Sequence, residues 1–215
     1  MLNFDVECNL ARVLLGAFRS RAMKLGKTLH VKTRKQWRSW LAKNHGSASE
    51  IWLVYYKKDS GKPRIPYNAA VEEALCYGWI DSTVKRIDNE RMAQRFSPRR
   101  KNSALSEMNK ERVRRLIKAK KMTRYGLESI RQHLVQDPQV SRSQKPITFK
   151  LPEDILEKLR ADAMVWKNFR KFPASYKRIR IGWIDGARKR PHEFRKRLNY
   201  FLRMTARNKR FGMVQ

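Results

Sequence analysis

The hydrophobic pattern changes once along the chain, and this change constrains the fold more than any other feature. Between about residues 28 and 136, strand-length runs such as "EIWLVYYKK" and "WIDSTVKRID" alternate with segments of helical period. After residue 150 only helical periods remain. The sequence therefore predicts an α+β fold, in which a small antiparallel sheet flanked by helices is followed by a C-terminal helical bundle.

The same pattern predicts the domain organisation. Residues 1–22 form an N-terminal extension, which either resembles a transit peptide or, in the preferred interpretation, precedes a natural start at Met23. Residues 23–136 form the α+β domain, 137–149 a polar linker, and 150–210 the helical domain. The helical domain has more large apolar side chains than about 60 residues can cover, so we expect it to dock on the sheet domain.

Several helices have recognisable ends and faces. A capping box at Thr33 and Gln36 precedes a helix with Trp37, Trp40 and Leu41 on one face. A second helix, "YNAAVEEALCYG", ends at Gly78. A third begins at Ser106, with a predicted buried stripe of Val113, Leu116 and Ile117.

The charge balance is strongly basic, with 51 Lys and Arg against 19 Asp and Glu and a formal net charge of +32. The cations are spread along the chain, which favours attraction to polyanions such as nucleic acid, ribosomal RNA or anionic lipid. The alternative is a solvated basic surface without a partner. Basic faces are predicted on the third helix and on "RKRPHEFRKR". The nucleic-acid candidates are Lys110, Arg114, Arg115, Lys118, Arg188, Lys189 and Arg190.

Motifs for catalysis or metal binding are lacking in the sequence. The histidines His30, His45, His133 and His192 have no metal-ligand spacing, and no nucleophile elbow or glycine-rich phosphate loop is present. Glu72 and Glu73 are predicted to be solvated helix surface, and Cys76 a buried small hydrophobe. We therefore expect no cofactor and no metal, and an enzyme is a weak hypothesis.

Two cysteines, Cys8 and Cys76, provide no disulfide framework, which fits a reducing compartment. No apolar run reaches the roughly 18 residues of a membrane span. The sequence thus predicts a soluble, cytoplasmic protein, with its oligomeric state undetermined.

A polar seam is predicted along the strand "WIDSTVK". Strict alternation would place Trp79, Asp81, Thr83 and Lys85 on one face, beside Arg95 of the next strand and the following "PRRK". Such a seam would bind an anion or a peptide carboxylate; the alternative is a ring of surface ion pairs around a partly buried tryptophan. The ligand-binding candidates are Trp79, Asp81, Lys85, Arg95, Arg99 and Arg100.

Five blocks carry a family resemblance: "WRSWLAKNH", "EIWLVYYKKDSGKP", "VEEALCYGWIDS", "RFSPRRKNS" and "FPASYKRIRIGWIDGARK". In this order they resemble the bacterial YdeI/OmpD-associated family over about residues 30 to 210, and the wider YjbR/CyaY-like, DUF1801-like group of α+β folds. The sequence departs from the family pattern at Leu105, where tryptophan is usual, and at Pro66, where serine would cap the helix.

The resemblance implies a bacteriocin-protection function and, by the family name, an envelope protein as partner. The preferred hypothesis is a non-catalytic binding protein in envelope-stress, bacteriocin or antimicrobial-peptide resistance. The alternatives are a nucleic-acid-binding protein with basic helix faces and an enzyme acting on an anionic small molecule.

Overall fold

The structure is a computed structural model that describes residues 25–57, 60–101, 103–136 and 150–212. The predicted extension at 1–22 and the predicted linker at 137–149 lie outside the described residues. The domain boundaries stay predictions for this reason.

The described elements confirm the α+β prediction. The strands are β1 (Thr28–Leu29), β2 (Ile51–Tyr56), β3 (Trp79–Arg86) and β4 (Arg91–Pro98). The helices that accompany them are α1 (Arg34–Asn44), α2 (Tyr67–Cys76), α3 (Glu107–Lys118), α4 (Arg124–Ser129) and α5 (Arg131–Gln136). The C-terminal helices are α6 (Glu153–Arg160), α7 (Ala163–Lys171), α8 (Ala174–Asp185) and α9 (Pro191–Ala206).

The sheet has the strand order β1-β2-β4-β3. The pairs β2–β4 and β4–β3 are antiparallel as predicted, whereas β1 pairs with β2 in parallel. Helix α1 connects β1 and β2, and a helical crossover of this kind is what allows two neighbouring strands to run in the same direction.

The first core lies between the sheet and its helices. Trp37 and Leu41 of α1, Leu53 of β2, Trp79 of β3 and Phe96 of β4 are essentially inaccessible to solvent. The predicted capping box is present, because the Thr33 hydroxyl accepts from the Gln36 backbone N–H and the Gln36 side chain accepts in return. The cap fixes the start of α1, and the indoles of Trp37 and Trp40 on this helix lie over the sheet.

The helix predicted from about Thr123 to Val135 is two helices. The backbone of Ile130 leaves the helical region with φ −118°, and its side chain is buried in the first core. Ile130 therefore ends α4, and α5 begins at the next residue, Arg131.

The C-terminal helices enclose a second core, which includes Ile155 of α6, Phe169 of α7, Tyr176 of α8 and Phe201 of α9. This bundle docks on the α+β part where α8 packs against α3. Gly182 makes the approach possible, since a Cβ at this position would lie 2.6 Å from Cγ of Glu107. The predicted docking of the two parts is therefore confirmed.

Among the described residues, no helix has the length and apolarity needed to cross a membrane.

Candidate functional site

A basic surface runs along the solvent side of α9. Pro191 occupies the first turn of the helix, where its missing N–H costs nothing. Leu198, Phe201 and Thr205 point into the second core, and the opposite face, with Arg195, Lys196 and Asn199 among its residues, is exposed. The helical period thus separates an apolar side from a basic side.

Further exposed cations precede and follow this face. A helix of 16 residues is about 24 Å long, so Arg195, Lys196 and Arg203 are spread along the exposed face of α9, and the other cations lie before and after the helix. None of these cations has a carboxylate partner among the described residues; the Arg203 guanidinium lies over the ring of Tyr200, 5.4 Å from its centroid. We call this set the basic stripe: Lys189, Arg190, Arg195, Lys196, Arg203, Arg207, Lys209 and Arg210.

The basic face predicted on α3 is a different kind of structure. Lys110 pairs with Glu107 at 2.8 Å, and Arg115 pairs with Glu72 at 3.3 Å. Arg112 and Arg114, two of the cations on this helix, are buried. The prediction of a continuous solvent-exposed cationic face on α3 is wrong, because the helix is covered on one side by α2 and on another by α8.

The remaining members of the predicted nucleic-acid set differ among themselves. Arg114 pairs with Glu111, while Lys118 is exposed. Arg188 pairs with Asp154 and Asp185, which raise its pKa.

Lys189 and Arg190 belong to the basic stripe, but Arg197 of "RKRPHEFRKR" is buried and pairs with Glu193. Arg203, Arg207, Lys209 and Arg210 were not in the predicted set, although the helical period that continues from Arg195 indicates the position of Arg203.

The predicted polar seam is divided between the two faces of the sheet. Asp81 pairs with Phe96 and Val84 with Gln94, so two residues of β3 lie opposite Arg95 alone. This β-bulge shifts the alternation by one residue. The prediction that Trp79, Asp81, Lys85 and Arg95 share a face is therefore wrong: the first two lie on the helix-covered face and the last two on the other.

On the opposite face of the sheet, Lys85 and Arg95 lie beside a buried tryptophan, Trp52. The Lys85 ammonium lies 5.8 Å from the centroid of a Trp52 ring, and Arg95 pairs with Glu50 at 2.6 Å. Glu50 also accepts from the Trp52 indole N–H at 3.0 Å. The Arg95 and Trp52 hydrogen bonds lower the pKa of Glu50. The sequence left open, as the alternative to a binding seam, a ring of surface ion pairs around a partly buried tryptophan. Here the structure has a partly exposed ion pair, and the tryptophan beside it is Trp52, not Trp79.

On the helix-covered face, Asp81 belongs to a partly buried polar cluster. The Tyr67 hydroxyl donates to its carboxylate at 2.5 Å. The Tyr55 hydroxyl is buried without a hydrogen-bond partner among the described residues, and Arg112 donates to Asn68 at 2.7 Å. Burial, followed by the Asp81 charge, raises the pKa of both tyrosines. The cluster joins β2, β3, α2 and α3.

Arg99 and Arg100 follow directly after β4. The side chain of Arg99 is buried, and its guanidinium lies 3.1 Å from Nε2 of His133 and donates to the carbonyl of Ser103. Arg100 is exposed. The binding role predicted for these two residues stays a prediction.

The acidic residues and the cysteine of α2 take part in ion pairs and in the core. Glu73 is 2% exposed and pairs with Arg34 and Arg38, so its prediction as solvated surface is wrong. Glu72, also predicted to be solvated, is partly buried and pairs with Arg34 at 2.9 Å. Cys76 is buried as predicted, and burial raises its pKa to about 11. A thiol of this pKa is a poor nucleophile at neutral pH.

Within the described ranges, no three His, Cys, Asp or Glu side chains are grouped so that they could hold a metal ion.

Comparison with known protein families gives two matches to separate parts of the chain. Residues 29–129 match the family described as Domain of unknown function (DUF8412). No curated protein and no solved structure matches the chain. The wider group named from the sequence blocks stays a prediction. The resemblance to the YdeI/OmpD-associated family is shown for the segment that contains α6 to α9, because residues 148–208 match the family described as Bacteriocin-protection, YdeI or OmpD-Associated.

Proposed function

We propose that the protein is a non-catalytic binding protein that attaches to a polyanion, nucleic acid in the first place, through the basic stripe. The observation that carries the proposal is the contrast between two helices. The cations of α3 are largely buried or paired with carboxylates, whereas those of the stripe are exposed and have no carboxylate partner among the described residues.

The stripe has the properties expected of a phosphate-binding surface. Lysine and arginine contacts with phosphates release condensed counterions, which supplies most of the free energy of non-specific binding. A helix of this diameter fits the major groove of B-DNA, which is about 12 Å wide. The guanidinium of Arg203 lies over the aromatic ring of Tyr200. Because binding of cellular nucleic acid requires a cytoplasmic location, we also propose that the protein is cytoplasmic.

The experiment measures DNA mobility shifts across a range of salt concentrations. The test variant replaces Arg195, Lys196 and Arg203 with glutamine. The control replaces Lys32, Lys35 and Lys43, which are exposed on the α+β part, so that both variants lose the same net charge. The slope of log K against log salt should become shallower by about 0.9 for each lost phosphate contact in the test variant.

Two results would contradict the proposal. If the wild-type protein gives no shift at about 50 mM salt, the stripe does not bind DNA with the strength that counterion release implies. If the control variant loses as much affinity as the test variant, the field of the whole +32 chain is responsible and the stripe is not a site.

A second candidate function is protection from bacteriocins or antimicrobial peptides, and the family match at residues 148–208 favours it. A chain with a net charge of +32 repels a cationic peptide. We therefore propose that protection would act through an anionic partner, such as an envelope component that the peptide also binds. The test complements a deletion strain with the wild-type protein or with the stripe variant and measures survival. If both forms restore survival, protection does not depend on the basic stripe.

A further inference from the structure

The charge of Arg99 is not neutralised by any carboxylate of the described residues. The side chain is 9% exposed, and Nε of its guanidinium is buried without a hydrogen-bond partner in the part of the chain that the structure describes. Transfer of an unpaired guanidinium from water to a protein interior costs several kcal/mol. Buried charges are therefore normally paired, and Arg99 is a marked exception.

The position of Arg99 is fixed by its surroundings. Its backbone N–H donates to the carbonyl of Gly78 at 2.9 Å, which holds the residue at the end of β4. The guanidinium donates to the carbonyl of Ser103, and Nε2 of His133 lies 3.0 Å from the same carbonyl oxygen. Nε2 of His133 also lies 3.1 Å from the guanidinium. Arg99 and His133, which come from separate elements, thus meet at the carbonyl oxygen of Ser103, and no carboxylate of the described residues accompanies them.

The loop beside this place adds charge of the same sign. Arg100 and Lys101 are both exposed and follow Arg99 directly. A buried guanidinium with two exposed cations next to it suits a group with two negative charges better than a single carboxylate.

We propose that Arg99 and His133, with Arg100 and Lys101 at the rim, form a binding site for one phosphate group. The site lies directly after β4 and on α5, and shares no residue with the basic stripe. The phosphate would supply the missing counter-charge and accept hydrogen bonds from the guanidinium. This proposal does not depend on nucleic-acid binding by α9.

The first experiment compares the Tm in sodium phosphate and in sodium chloride at equal ionic strength. Phosphate should raise the Tm of the wild-type protein in a concentration-dependent, saturable way, because a ligand that binds only the folded state stabilises it by mass action. Arg99→Gln should abolish this increase. Arg131→Gln, which changes an exposed arginine on the same helix as His133, should keep it.

A second measurement keeps the proposal testable if Arg99→Gln does not fold. In the wild-type protein, titration with inorganic phosphate should shift the NMR resonances of the His133 imidazole, while those of the exposed His192 stay in place. Methyl phosphate, tested in parallel, identifies the source: a shift with both probes indicates that esters are accepted, and a shift with phosphate alone indicates the free ion.

The proposal is overturned if phosphate and chloride give the same Tm and the His133 resonances do not move. It is also overturned if Arg99→Gln folds and keeps the full phosphate effect. DNA binding by the stripe is measured separately, so failure of one proposal leaves the other standing.

Discussion

The guanidinium of Arg178 in α8 donates to the carboxylate of Glu111 in α3 at 2.5 Å and, with its other nitrogen, to Glu107. Arg178 is 3% exposed, whereas the two glutamate side chains are about a quarter exposed. One arginine thus holds two carboxylates of a neighbouring helix at the junction between the sheet part and the helical bundle. This geometry holds α8 against α3, so that one side of α3 is covered by the helical bundle.

The first prediction concerns this junction. Arg178→Met should lower the free energy of unfolding by about 3 kcal/mol, the lower end for loss of one partner from a buried ion pair, because the carboxylates left behind are partly hydrated. The two parts should also become less tightly coupled, so that calorimetry shows a broadened or divided transition. Measurement by calorimetry and urea unfolding checks both effects.

The control is Arg188→Met, which also removes an arginine with two carboxylate partners, Asp154 and Asp185. Its side chain is 45% exposed, and exposed pairs contribute at most about 1 kcal/mol. Equal destabilisation by the two variants would show that the junction does not depend on the burial of Arg178.

A second prediction concerns Gly126 in α4. A Cβ at this position would lie 2.2 Å from the carbonyl oxygen of Cys76, at the end of α2. Thr123 donates to the same oxygen from its hydroxyl at 2.5 Å, so α4 cannot move away without losing this bond. Gly126→Ala should therefore destabilise the fold by about 1 to 3 kcal/mol or more, in spite of the better helix propensity of alanine.

Gly46→Ala is the matched control, because a Cβ at this position would meet no atom of the surrounding structure within 4 Å and the backbone there is not left-handed. It should be neutral or stabilising by about 0.4 to 1 kcal/mol, through a reduced entropy of the unfolded chain. Denaturant unfolding measures both variants. A Gly126→Ala protein as stable as wild type would show that α4 is not in close contact with α2.

The α+β class, the capping box and the burial of Cys76 were predictable because each depends on residues close together in the sequence. The bulge in β3 was not, since it depends on how the residues on either side of it, Asp81 and Val84, pair with the next strand. For the same reason the sequence could not indicate that Glu73 is buried, because its partners Arg34 and Arg38 lie more than 30 residues away.

Of the two candidate sites, one could be predicted from local sequence and the other depends on tertiary contacts. The cations of α9 lie on one exposed face because of the helical period, which is a local property. Arg99, by contrast, is a predicted anion ligand whose most informative feature, burial without an acid, depends on His133 and Ser103. Composition alone also overstates the free positive charge, since much of it is used in internal pairs that only the tertiary structure forms.

A third prediction separates the two tyrosines near Asp81. Tyr55→Phe should leave the free energy of unfolding unchanged or raise it, because the hydroxyl that is removed is buried and has no hydrogen-bond partner among the described residues. Tyr67→Phe should lower it by about 1 to 2 kcal/mol, since the hydrogen bond to Asp81 is lost. Urea unfolding at neutral pH compares the pair, and the opposite ranking would mean that Tyr55, not Tyr67, stabilises Asp81.

The last prediction concerns acid stability. The pKa of Glu50 is lowered in the folded protein by hydrogen bonds from Arg95 and Trp52, against a reference of 4.5. A carboxyl group with a lowered folded-state pKa contributes stability above its unfolded pKa, and this contribution is lost as the pH falls through the folded pKa. Glu50→Gln should therefore be less stable than wild type at pH 7, and the difference should shrink below about pH 4.5.

Urea unfolding followed by tryptophan fluorescence measures this difference at pH 7, 5, 4 and 3, and Trp52 beside Glu50 provides a local signal. The control is Glu90→Gln, whose carboxylate is 62% exposed and pairs with Lys62. Its effect at pH 7 should be small, as for other exposed pairs. A Glu50→Gln deficit that stays constant from pH 7 to 3 would show that the shape of the side chain, and not its charge, stabilises this corner of the sheet.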